Sequence, residues 1–101
     1  MWEEIDNYVS DSDTLKFLRT TNNTITVTGA IDKIWIYLYV LMESNTYRCM
    51  GDIHLDDGCS MIVKVDKVVR NQKEVVGIMD KMIGSATVLN AFIKFQQAQL
   101  L

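Results

Sequence analysis

Between Thr24 and Asp66 the apolar and polar positions alternate with the period of a strand. In Thr24–Ile31, Ile25, Val27 and Ile31 fall on one side and Thr24, Thr26 and Thr28 on the other, as in a strand with one buried face. Gly29 inside that stretch predicts a bend or bulge. Ile34–Met42 continues as strand but is apolar on both parities: Ile34, Ile36, Leu38 and Val40 on one, Trp35, Tyr37 and Tyr39 on the other. The second apolar face needs a cover, from the chain itself, a partner protein or nucleotide bases. Asn45-Thr46 is a candidate turn. Tyr47–Leu55 is a third extended piece with Cys49, Ile53 and Leu55 in phase. Asp56-Asp57-Gly58 reads as a tight hairpin, because Asp-Gly supplies the positive φ angles of a primed turn. Ser60–Asp66 follows, with Met61, Val63 and Val65 alternating against Ile62, Lys64 and Asp66.

The two ends are patterned differently. Trp2, Ile5 and Val9 fall near helical spacing, and Ser12 or Asp13 is placed to cap a second short helix carrying Leu15, Phe17 and Leu18. Arg19-Thr20-Thr21-Asn22-Asn23 breaks that pattern, since Thr and Asn favour turns. Arg70–Lys73 reads as a loop. Glu74–Met82 reads as strand interrupted by Gly77, Gly84-Ser85 as a turn, and Thr87–Phe95 as a last strand with Leu89, Ala91, Ile93 and Phe95 in phase. A helical reading of Glu74–Met82 competes, given its Met and Lys content; Gly77 and the Val75-Val76 pair favour strand. Short strands joined by turns predict one all-β domain over residues 1–101: a helical lead-in (1–20) and a small five-stranded barrel (24–95). Glycines inside two strands suit the sharp bends that close a small barrel.

Composition narrows the chemistry. Hydrophobic residues make up 49% and charged residues 23% of the 101, as in a globular domain. The net charge of −3 sets any nucleic-acid role as weak, local or delegated to a partner, because basic contacts to phosphate supply most of that affinity. Cys49 and Cys59 are the only cysteines and His54 the only histidine, too few soft ligands for a structural zinc site. Reduced thiols in a cytosolic or nuclear protein are expected, with a bridge open only if both lie on neighbouring strands of one hairpin. Acids in the first twenty residues argue against a secretory leader. The apolar run Ile34–Met42 is too short to span a bilayer.

The order of elements resembles an OB-fold, and more closely the smallest subunit of replication protein A and the related small subunit of the telomeric Stn–Ten complex. Leu15, Phe17 and Leu18 stand where that family has an apolar lead-in. Val27-Thr28-Gly29-Ala30-Ile31 resembles its first strand, Glu74-Val75-Val76-Gly77-Ile78 its fourth, and Ala86-Thr87-Val88-Leu89 with Phe92-Ile93-Lys94-Phe95 its fifth. The family ends in a long helix that joins partner helices; the strand reading here leaves no room for one. The stretch Ile34–Ser44 is longer and more apolar than a first OB loop. The small OB accessory proteins of the topoisomerase–RecQ helicase complex are similar too, through the hairpin Tyr47–Val65.

No catalytic constellation is expected. His54 stands alone between Asp52 and Asp56, with no nucleophile or metal site beside it, and turn chemistry accounts for Asp56 and Asp57. No cofactor, metal or small-molecule substrate is implied. Trp35, Tyr37 and Tyr39, with Phe92 of the last strand, are the candidate partner interface, since Tyr and Trp anchor many interfaces. Lys64, Lys67, Arg70 and Lys73 are the candidate nucleic-acid contacts. The resemblance implies a nuclear, non-enzymatic architectural subunit that binds a larger OB-fold protein and meets single-stranded DNA weakly or only through the complex, without a membrane. The alternatives are an OB scaffold of a topoisomerase–helicase complex, or a cytosolic α+β signalling adaptor, which gains if Glu74–Met82 is helical.

Overall fold

Alternation does specify strands through the middle of the chain. The computed structural model describes residues 1–57 and 60–99; Gly58 of the hairpin turn, Cys59 and its pairing with Cys49, and the last two leucines lie outside the described residues. Helix α1 (Glu3–Asp11) leads into β1 (Leu15–Thr20), β2 (Thr24–Ile31), β3 (Ile34–Glu43), β4 (Thr46–Leu55) and β5 (Met61–Val69), and helix α2 (Gln72–Gln99) follows. The strands form one antiparallel sheet in the order β1-β2-β3-β4-β5. Turns with positive φ join β2 to β3, with Asp32 at 52°, and β3 to β4, with Ser44 and Asn45 at 50° and 64°. Two successive positive angles make the β3–β4 connection a primed hairpin, one residue before the expected Asn45-Thr46.

The fold is α+β. The sheet runs as an open meander, with β1 and β5 as its edges, in place of the expected all-β barrel. Residues 74–82 and 87–95, read as two strands around a Gly84-Ser85 turn, are one continuous helix of 28 residues. The residues that carry the likeness to fourth and fifth OB strands therefore lie in α2. A helix signal was present. Asn71 Oδ1 accepts the Glu74 backbone N–H at 2.9 Å, and Glu74 Oε2 accepts the Arg70 N–H at 2.8 Å. This is a variant of the capping box, with the Glu74 carboxylate reaching the N–H of the residue before the N-cap, and Asn-x-x-Glu is the box's sequence form. Parity misled because apolar residues cover most of the circumference of α2, so a period of two fits as well as 3.6. At the other end, Leu15–Leu18 belong to β1, not to a second helix. Ser12 Oγ accepts the N–H groups of Thr14 and Leu15 at 3.1 and 3.0 Å, so it caps the entry to a strand.

Both helices pack on one face of the sheet. Ile25, Val27, Ile36, Leu38, Val40 and Ile53 meet Ile5 and Val9 of α1 and Val75, Met79, Met82 and Ala86 of α2 in one buried core. Gln72 joins the two helices: its Oε1 accepts the Glu4 and Ile5 N–H groups at 3.1 and 3.3 Å, while its Nε2 donates to Met1 O. Trp2, at the N-cap of α1, supplies no side-chain cap, so a residue 68 positions away satisfies donors that the helix leaves open. Tyr8 OH donates to Asp80 Oδ1 at 3.1 Å. Near its far end α2 is held to the β2–β3 turn, where Asp32 Oδ2 takes Lys94 Nζ at 2.7 Å and Asn90 Nδ2 at 2.8 Å. Gly51 opposes Leu38 across the β3–β4 ladder, and a Cβ there would stand 2.1 Å from Tyr37 O. The ladder closes only on glycine.

Candidate functional site: two uncovered faces

The two parities of β3 part as expected. Ile34, Ile36, Leu38 and Val40 are in the core, and Trp35, Tyr37 and Tyr39 lie on the face without helices. Cross-strand register builds that open face row by row. One row runs Lys16, Thr28, Tyr37, Asp52, Lys64; the next runs Arg19, Thr26, Tyr39, Met50, Asp66. Trp35 lies beside His54, which pairs with Met61. The aromatics are only part exposed, Trp35 at 38% and Tyr37 at 37%. Their polar neighbours are satisfied within the sheet. Trp35 Nε1 donates to Asp56 Oδ1 at 2.8 Å, His54 Nδ1 meets Asp52 Oδ1 at 2.6 Å, and Arg48 faces Asp66 at 3.4 Å. His54 is thus half-buried and hydrogen-bonded. Thr24, Thr26 and Thr28 complete the face, which combines an aromatic stripe with a polar surround, as antiparallel sheets with one solvated side do.

The predicted site residues do not converge. Phe92 belongs to α2, on the other side of the sheet from Trp35, Tyr37 and Tyr39. The basic cluster divides as well. Lys64 is on the open face. Lys67 opposes buried Cys49 on the helix side and, with Arg70, lines a cleft against Gly77 and Lys81 of α2. Lys73 is exposed in the first turn of α2. Burial pushes the Cys49 thiol up to about 11, with Lys67 opposing it, so Cys49 is a core hydrophobe and no nucleophile.

The second uncovered face is one that the strand reading hid. Val75, Met79, Met82 and Ala86 bury one stripe of α2, yet Val88, Phe92 and Phe95 are 69%, 57% and 60% exposed. α2 covers the inner side of β5 only in part: Val69 is buried, while Val63 and Val65 are half-buried and border a groove against Ile78, Lys81 and Met82. A helix apolar on all sides is ordinarily enclosed; this one is enclosed on one. By length and composition α2 is also the one helix among the described residues that is apolar enough to cross a membrane. Among the described residues no group of three or more His, Cys, Asp or Glu side chains could hold a metal ion. No family model matches the chain, and neither a curated protein nor a solved structure does.

Proposed function

We propose that the chain is a non-enzymatic protein–protein interaction module, and that its working surface is the outer face of α2 with the groove beside β5. The observation that carries this reading is the exposure of Val88, Phe92 and Phe95 on one side of a helix already anchored by its opposite side. Contiguous apolar surface of this kind marks partner sites on otherwise soluble folds. The adaptor expectation, conditional on a helix at Glu74–Met82, is the one this supports. The test is the size of the assembly that holds the tagged chain in extracts of its own cells, measured by gel filtration. The wild-type chain is expected well above 11.6 kDa. The Phe92→Asp/Phe95→Asp variant is expected to run as the free chain, folded, because neither ring is in the core. A wild-type chain that runs at its own mass sinks the reading.

A role in a single-stranded-DNA complex, with a larger OB-fold partner, is the second reading. It is favoured by the aromatic row of the open face, flanked by Lys16 on β1 and Lys64 on β5. Base stacking on such a row, with cations along the backbone path, is how sequence-tolerant single-strand binders work. Titrating the chain with oligothymidylate at low salt is expected to quench Trp35, and Lys16→Glu/Lys64→Glu to flatten the salt dependence. Unchanged fluorescence removes this role.

A further inference from the structure

The outer face of α2 is tapered. Its first half presents Gly77 and Gly84, one heptad apart, where an added Cβ would meet nothing within 4 Å. Its second half presents Val88, Phe92 and Phe95. Spacings of three and four place these residues and Lys81 along one side of the helix. Both glycines weaken the helix relative to alanine, and among the described residues no contact uses their small size. β5 walls the glycine half: Ile62 and Val63, with Gly84, Ser85 and Val88, border about 580 Å³ of open groove.

We propose that α2 docks antiparallel onto α2 of a second copy of this chain, the aromatic end of each helix seated on the glycine end of the other, about a two-fold axis close to Val88. The inference rests on the interaction-module reading and names its partner. Three features select a second copy. The taper is complementary to itself only when reversed: Phe92 then meets Gly84, and Phe95 meets Lys81, whose ammonium can stack on the ring. A parallel pair would set glycine on glycine and phenylalanine on phenylalanine. Charge agrees. The last turn of α2 has no basic residue, so its carbonyl ends keep their partial negative charge, while the cleft at the opposite end is lined by three cations, Lys67, Arg70 and Lys81, against one acid, Glu74. The antiparallel pair brings these ends together. The contact runs roughly 33 Å along each helix. With the β5 wall it buries on the order of 1,200 Å², the lower bound of stable specific interfaces, and a micromolar dimer is expected.

The test is sedimentation equilibrium of the purified full chain from about 1 μM to about 1 mM. A monomer–dimer equilibrium is expected. Gly84→Leu should weaken it at least tenfold without lowering the thermal midpoint of dilute protein, which separates a blocked interface from a damaged fold. In a Cys59→Ser background, Val88→Cys should form a disulfide-linked dimer on oxidation and Phe95→Cys should not. A chain that stays monomeric, a Gly84→Leu variant that dimerises as well as wild type, or equal cross-linking by both cysteines overturns the proposal. So does a monomer that floats with phosphatidylcholine–phosphatidylglycerol vesicles, which would assign the face to lipid. If the purified chain is monomeric but Phe92→Asp/Phe95→Asp still dissolves the assembly in extracts, the second copy is wrong and the module reading stands. If neither experiment responds, both fall.

Discussion

Gly51 and Gly77 are both glycines in regular structure, and the fold predicts opposite outcomes for the same substitution. A Cβ on Gly51 would lie 2.1 Å from Tyr37 O, 2.9 Å from Leu38 Cα and 3.0 Å from Tyr37 C. All three atoms are backbone of the neighbouring central strand, so no side chain can turn aside. Gly51→Ala must push β3 and β4 apart in the middle of the ladder, where Leu38 and Ile53 are fully buried. Overpacking that shifts backbone in a core costs about 2–4 kcal/mol. That is a large share of the roughly 5–15 kcal/mol stability of a domain this size. A Cβ on Gly77 meets nothing within 4 Å. There Ala removes only the entropic penalty of glycine in a helix, and Gly77→Ala stabilises the monomer by about 0.5–1 kcal/mol. Urea unfolding of dilute protein, followed by far-ultraviolet circular dichroism, measures both. The midpoint should fall for Gly51→Ala and rise for Gly77→Ala with little change in slope. A Gly51→Ala midpoint within error of wild type would refute the register assigned to β3 and β4. A fall for Gly77→Ala would place residue 77 against something inside the chain and remove the ground for an open helix face.

The other expectations follow from single contacts. Gln72→Ala should lower stability by about 1–2 kcal/mol, since it strips the cap from α1, and Gln72→Glu should recover part of it because a carboxylate accepts the same two N–H groups at a helix N-terminus; equal losses would discount the cap. Lys94, and after it Asn90, hold the Asp32 carboxyl below its ordinary range, so this clasp stabilises above about pH 3.8 and is lost as pH falls through the lowered value. The stability gap between wild type and Lys94→Met at neutral pH should therefore close in acid; a gap independent of pH would reject the pairing. Burial and then Asp80 raise the Tyr8 phenol above 10, so its contribution is present below pH 10 and fades as pH climbs through the raised value. In a Cys59→Ser background Cys49 should resist thiol reagents until the protein unfolds, and rapid labelling of the native chain would contradict its place in the core.

What the sequence made legible follows from burial. β2 coincides with the expected Thr24–Ile31, and β3 and β4 differ from expectation by a residue at one end. Each has one buried face, which forces alternation, so Ile25, Val27, Ile36, Leu38 and Val40 could be placed from period alone. The separation of Trp35, Tyr37 and Tyr39 from the core was legible for the same reason. The short β1 was not: Leu15 and Phe17 turn inward, but a bulge at Leu18 shifts the register before Arg19, so the alternation never completes a second cycle. The division of Lys64 from Lys67 was legible only through β5, where parity alone sends one side chain to the open face and the other towards α2.

The failure at α2 has the same cause as the proposed function. Val75, Met79, Met82 and Ala86 alone would have shown a helical period and a polar remainder. Gly77, Gly84, Val88, Ala91, Phe92 and Phe95 make the opposite side mostly apolar or featureless, with Lys81 the charged residue among them, and the period disappears. A helix that needed only to cover this sheet would have no use for them: polar side chains would serve better in water, and alanine would serve better than glycine for helix stability. The residues that erase the pattern are therefore those the monomer does not explain. They form one stripe, small at one end and large at the other. Such a stripe is surface that the proposed helix pair would bury and that the monomer leaves in water.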